Sequence, residues 1–213
     1  MSAVHQRFAA ALAACPLVAI LRGLRPTEAQ AVGSALVTSG WRLIEVPLNS
    51  PEPLQSIRML AAAFPDALVG AGTVLKPEQV GPIHAAGGRL VVAPNFHPEV
   101  VREAVRLDMV CLPGVLTATE AFAALAAGAT GLKLFPAEMI PPHAVKALRA
   151  VLPGDALLLP VGGITRGNMA GYRAAGANGF GIGSALYRSG MGSAVVEQNA
   201  RDFKAAWAGT LRA

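Results

Sequence analysis

Short runs of β-branched residues and leucine alternate along the chain with longer, alanine-rich amphipathic segments. The runs at residues 17–21 (LVAIL), 42–46 (RLIEV), 68–72 (LVGAG), 89–93 (RLVVA), 109–112 (MVCL), 130–134 (TGLKL), 157–161 (LLLPV) and 178–182 (NGFGI) predict eight strands. Successive starts lie 20 to 27 residues apart, the length of one strand, one helix and two tight connections. Pro26, Pro77 and Pro98 stand where first-turn prolines belong, and Thr117 with Glu120 has the spacing of a capping box. Gly40, Gly87, Gly128 and Gly176 each close a helical segment just before the next strand, where a left-handed residue ends a helix. One βα unit therefore repeats from end to end, with no linker or shift in composition.

Continuous apolar strands alternating with helices imply parallel strands covered on both faces. Eight of them predict an α/β fold, a (β/α)8 TIM barrel in one domain over residues 1–213. Residues 1–15 are expected to form an N-terminal helix that plugs one end, and residues 191–213 a C-terminal helix. A Rossmann sheet is the rival, but LRGLRP follows the first strand in place of GxGxxG. The nearest glycine pattern, Gly179, Gly181 and Gly183, comes only at the last strand.

Composition sharpens this picture. The 213 residues are 53% apolar and 15% charged, which favours elements covered on more than one side. No apolar run reaches the ~18–20 residues of a membrane span, so no membrane partner is expected. The formal charge of +5 comes from scattered cations, and aromatics make up only 5% of the chain. A small acidic ligand fits that pattern better than a nucleic-acid track. Cys15 and Cys111 are isolated and lack CxxC spacing, which reads as two buried thiols in a reducing, cytoplasmic compartment. The stretch ending Leu12-Ala13-Ala14-Cys15 could pass for a lipoprotein signal, but its apolar part is short and cleavage would leave no tether before the first strand.

Charges seldom lie inside fully covered strands without a partner or a task. Glu45 in LIEVPL and Lys133 in GLKLFP do so, each near the carboxyl end of its strand, where barrel enzymes place their reacting groups. Desolvation lowers the pKa of a lysine and frees a nucleophilic amine, which can attack a carbonyl and form a Schiff base. A partly desolvated carboxylate nearby can relay protons. The alternative is a structural ion pair between the two. Arg22 and Thr73 directly follow their strands and face the same mouth, Arg22 being suited to a carboxylate. Gly162 and Gly163 follow strand seven, and Gly183 and Ser184 follow strand eight, the usual phosphate site of this fold. The four histidines (5, 84, 97, 143) show no metal-ligand spacing, and no metal or organic cofactor is called for. Asn95 and His97 are expected to serve loop structure.

Taken in order, LRG at Arg22, IEVPLNSP at Glu45, GAGTVL at Thr73, APN at Asn95, LPGVLTATE, GLKLFPAE at Lys133, PVGGIT and GIGSALY resemble the 2-keto-3-deoxy-6-phosphogluconate/4-hydroxy-2-oxoglutarate class I aldolases. The resemblance runs over residues 16–190. It implies Lys133 as the Schiff-base lysine and Glu45 as general acid/base. It further implies Arg22 and Thr73 as binders of the pyruvate-end carboxylate, and Gly162, Gly163, Gly183 and Ser184 as the phosphate site. The implied substrate is a phosphorylated keto acid and the implied assembly a homotrimer. PLNSP after Glu45 and Val161 before the glycine pair are similar to the phosphogalactonate-cleaving branch, whereas KLFPAE occurs in both branches and leaves the configuration at C4 open. A phosphosugar isomerase or epimerase, or a non-catalytic phosphometabolite-binding barrel, remains the alternative.

Overall fold

The structure, a computed structural model, describes residues 1–210. After α1 (Ala3–Ala14), strands and helices alternate as β1 (Leu17–Ile20), α2 (Pro26–Thr38), β2 (Leu43–Pro47), α3 (Pro53–Ala63), β3 (Leu68–Gly72), α4 (Val80–Ala85) and β4 (Leu90–Val92). Then come α5 (Pro98–Arg106), β5 (Val110–Leu112), β6 (Gly114–Val115), α6 (Ala118–Ala126), β7 (Leu132–Leu134), α7 (Pro142–Val151), β8 (Leu158–Pro160), α8 (Met169–Ala174), β9 (Phe180–Ile182) and α9 (Ser193–Gly209). The expected C-terminal helix at 191–213 corresponds to α9, and residues 211–213 lie outside the described ones.

Every strand pair is parallel. Six strands pair in the order β5-β4-β3-β2-β1-β9, and three more in the order β6-β7-β8. The fold is thus a curled parallel sheet in two sections, and the eight continuous strands expected from the sequence need correcting at one point. The fifth run (109–112) matches β5, but past Pro113, which has no N–H to give to the ladder, a further short strand β6 follows and pairs with β7. The Pro113 carbonyl still accepts from the Lys133 N–H at 2.9 Å. On the other side the sections meet through one parallel bridge, Val161 to Gly181.

Period-two alternation sorts the strand residues into two cores. Leu17, Ala19, Ile44, Val46, Leu132 and Leu134 face outward and pack under the helices. Val18, Leu43, Leu68, Leu90, Val110 and Leu159 face inward and pack with Phe8 and Ala11 of α1. Arg7 ties α1 to the amino-terminal end of β3, its Nη2 donating to Pro65 O at 2.7 Å and Ala67 O at 3.0 Å. The alternation also fixes the orientation of the two buried charges. With Leu43 inward, Glu45 is inward; with Leu132 and Leu134 outward, Lys133 is inward.

The helix ends follow one design. At the end of α2 the Gly40 N–H donates to Val37 O and the Trp41 N–H to Leu36 O, both at 3.0 Å. The same paired bonds recur at Gly87, Gly128 and Gly176, and all four glycines have positive φ, between 87° and 102°. Asp108 takes the corresponding place after α5 at φ 52°, a position the glycine pattern does not reveal because an aspartate tolerates the left-handed region. At Gly128 (φ 99°) an added Cβ would stand 3.0 Å from Val105. Gly128→Ala should therefore destabilise the protein by about 1 kcal/mol or more in chemical denaturation. An unchanged midpoint would contradict this account of the helix ends.

Candidate active site

Glu45 lies on β2 in register with Ile20 of β1 and Gly70 of β3, and Lys133 lies on β7 between Gly114 and Leu159. Both line one small chamber of about 10 Å³, about the room of one water, walled by Val18, Ile20, Val92, Leu112, Leu159 and Val161. Glu45 is 2% exposed and Lys133 7%. Space for them comes from inward-facing glycines. A Cβ at Gly72 would stand 1.8 Å from Glu45 Oε2, and one at Gly181 would meet Val161 at 2.7 Å.

The two groups form no direct ion pair, and Glu45 Oε2 has no hydrogen-bond partner among the described residues. The structural ion pair considered from the sequence is therefore absent. Burial raises the Glu45 carboxyl to about 7, against the pull of the Lys133 and Arg22 charges. Burial also lowers Lys133, with Glu45 opposing and Arg22 reinforcing the shift. The Phe135 ring, 4.5 Å from Nζ, favours the ammonium, by about 2 kcal/mol where the site is desolvated, and so opposes the effect of burial. The chamber thus holds an amine and a carboxyl that are each shifted toward the uncharged form relative to water.

A larger cavity of about 480 Å³ opens beside this chamber and shares Ile20, Val161 and Gly181 with it. Arg22, Gly162, Gly163, Gly183 and Ser184 line it, so five of the candidate residues meet in one space adjoining Lys133 and Glu45. Gly162 (φ 102°) and Gly163 (φ 61°) need glycine twice over, since an added Cβ on either would strike the Glu138 side chain at 2.5–2.8 Å. Asn168 pins this loop, Nδ2 donating to Gly163 O and Oδ1 accepting from the Thr165 N–H, both at 2.9 Å. The Leu186 and Tyr187 N–H groups both donate to Gly183 O, forming a turn that exposes Ser184. The amides of Gly163, Ser184 and Ala185 donate no hydrogen bond within the described residues, which leaves donors for an anion.

Thr73 is the exception. It follows β3 directly but lines neither space, and its φ of 55° is an outlier for a β-branched residue. Asn95 and His97 belong to the loop before α5, where His97 Nδ1 accepts from the Glu99 N–H at 3.3 Å. Among the described residues no three His, Cys, Asp or Glu side chains gather as a metal site.

A family model described as "KDPG and KHG aldolase" matches residues 9–201. The chain belongs to this aldolase family. It is 51% identical over 186 residues to a probable 2-dehydro-3-deoxy-6-phosphogalactonate aldolase of Rhizobium meliloti, a match covering 87% of this chain and 88% of that one. It is 49% identical over 193 residues to 2-dehydro-3-deoxy-6-phosphogalactonate aldolase of Escherichia coli, covering 90% and 94%. A solved structure titled "Native KDPGal structure" superposes with a TM-score of 0.91 at 48% identity, covering 93% and 97%.

Reading the sequence missed several residues of this aldolase's cavity region, among them Phe135, Thr165, Arg188, Ser189 and the loop-pinning Asn168. Nothing in the local sequence distinguishes Arg188 from a loop arginine that faces solvent. The raised Glu45 carboxyl has a consequence for stability. Between its ordinary 4.5 and about 7, Glu45 holds more proton in the folded enzyme than in the unfolded chain, so stability is lost as pH rises through that window. Chemical denaturation at about pH 5 and about pH 8 should show the wild type losing about 2 kcal/mol more than Glu45→Gln. Equal losses would contradict a burial-driven shift.

Proposed function

We propose that this enzyme is a class I aldolase that cleaves 2-dehydro-3-deoxy-6-phosphogalactonate to pyruvate and glyceraldehyde 3-phosphate. The observation that carries the reading is Lys133, an inward-facing lysine lowered by burial, beside a carboxyl raised to about 7. The galactonate substrate is supported by relatives of that name at 49% and 51% identity.

The reaction starts with the neutral Lys133 amine and the protonated Glu45 carboxyl. Nζ attacks the C2 ketone, and the proton gained on nitrogen passes to the C2 oxygen to give a carbinolamine. Glu45 then protonates the C2 hydroxyl, water leaves, and an iminium forms with Glu45 now a carboxylate. Glu45 removes the proton of the C4 hydroxyl, the C3–C4 bond breaks, and its electrons flow into the iminium to give an enamine. Glyceraldehyde 3-phosphate departs. Glu45 returns its proton to C3, water adds to the resulting imine, and hydrolysis releases pyruvate and the free amine. A carboxyl near 7 suits this exchange, being available in both forms at neutral pH.

Arg22 holds the substrate carboxylate close to the iminium, a role supported by the sensitivity of both Glu45 and Lys133 to its charge. Thr73 serves the same carboxylate from the rim. Gly162, Gly163, Gly183 and Ser184 hold the phosphate through backbone and hydroxyl donors. The sheet closes as a single-domain (β/α)8 barrel, supported by the bridge at Val161 and by the chain continuity through Pro113. The enzyme works in the cytoplasm, supported by the two free, buried thiols. It assembles as a homotrimer, supported by exposed Leu75, Leu116, Phe122 and Met139.

Borohydride reduction in saturating pyruvate should leave a covalent adduct mapped to Lys133, and its absence would remove the proposal. Lys133→Ala should lose turnover roughly a thousandfold or more while keeping its circular dichroism. The galactonate epimer should be cleaved with the higher kcat/KM, and a preference for the gluconate epimer would overturn the substrate assignment. Light scattering should give the mass of three chains, and a monomer would overturn the trimer.

A further inference from the structure

Among the described residues, two cations line the 480 Å³ cavity, Arg22 and Arg188. They are not equivalent. Arg22 acts electrostatically on both Glu45 and Lys133, which places it at the reacting end, whereas Arg188 acts on neither. Arg188 extends from the loop after β9, and its Nε donates to Ser184 O at 3.1 Å. That bond fixes the guanidinium beside the turn presenting the Ser184 and Ala185 amides, while Nη1 and Nη2 have no partner among the described residues. The loop itself is anchored on both sides of Arg188. Tyr187 OH donates to Glu28 Oε2 at 3.4 Å, and Ser189 Oγ donates to Gly23 O at 3.1 Å. A free fork held over unpaired amides matches two oxygens of a tetrahedral dianion.

From this geometry we infer that Arg188 is the cation of the phosphate subsite and the residue that makes the enzyme select phosphorylated over unphosphorylated substrates. The inference rests on the proposed phosphorylated substrate and deepens it. Glycine loops offer amides but no net charge, and a phosphate monoester carries close to two negative charges at neutral pH. Arg22 is engaged at the other end by the carboxylate. Without Arg188 the dianion would enter a cavity with no positive charge of its own at the far end.

The test compares wild type, Arg188→Gln and Arg188→Lys in the full chain, using pyruvate with either glyceraldehyde 3-phosphate or glyceraldehyde. The ratio of kcat/KM for the phosphorylated over the unphosphorylated aldehyde should fall about tenfold to a hundredfold in Arg188→Gln and recover partly in Arg188→Lys. An unchanged ratio would overturn the inference. Thermal stabilisation by inorganic phosphate gives a reading independent of turnover. It should be present in the wild type and lost in Arg188→Gln, and equal stabilisation of the two would again overturn it. Failure of the aldolase reading would appear elsewhere, as a missing pyruvate adduct on Lys133 in the wild type.

Discussion

The exclusion of water from around Lys133 and Glu45 is the constraint on which the rest of this structure depends. An ammonium or a carboxylate moved out of water costs several kcal/mol, and only a close, well-made ion pair recovers that cost. Here no close pair forms, and burial shifts each group toward its uncharged form, the Glu45 carboxyl up and the Lys133 amine down. Amine and carboxyl together carry the same net charge as ammonium and carboxylate. The chamber shifts the balance toward the reactive form of each without any change in overall charge.

The sheet exists to hold that arrangement. Leucine, isoleucine and valine from opposite strands make the chamber wall, and α1 covers its amino-terminal end with Phe8 and Ala11. Glycines do the complementary work on the inward face. Gly72 leaves the space occupied by the Glu45 carboxyl, and Gly181 lies on the boundary between chamber and cavity. Side chains at those two positions would fill space that the reacting groups and their substrate require. The break at Pro113 between β5 and β6 is compatible with this, because the Pro113 carbonyl still accepts from the Lys133 N–H.

Much of this was legible from residue order because its physical causes are local. Apolar runs bounded by glycine and proline mark strands to within two residues, and a charge inside such a run stands out whatever surrounds it. Glu45 and Lys133 are of that kind. The cavity-facing glycines were legible because they follow strands directly. Arg188 was not, since a surface-loop arginine has the same local pattern whether it meets solvent or a cavity, and only the Ser184 carbonyl and the anchored loop distinguish the two. Asn168 was hidden for the same reason, its bond to Gly163 spanning a turn that no periodicity announces. Thr73 shows the converse. Its place after β3 is clear from sequence, while its left-handed backbone and its absence from the lining of both spaces emerge only in three dimensions.

The central claim is that hydrocarbon around Lys133 holds its amine uncharged far more often than water would. Site-specific titration of the Lys133 Nζ, by isotope-edited NMR of the ligand-free enzyme, measures that directly. The account predicts a midpoint well below the ordinary lysine value of about 10.4, moving lower still when Glu45→Gln removes the one opposing negative charge. A midpoint at the ordinary value in both proteins would contradict it.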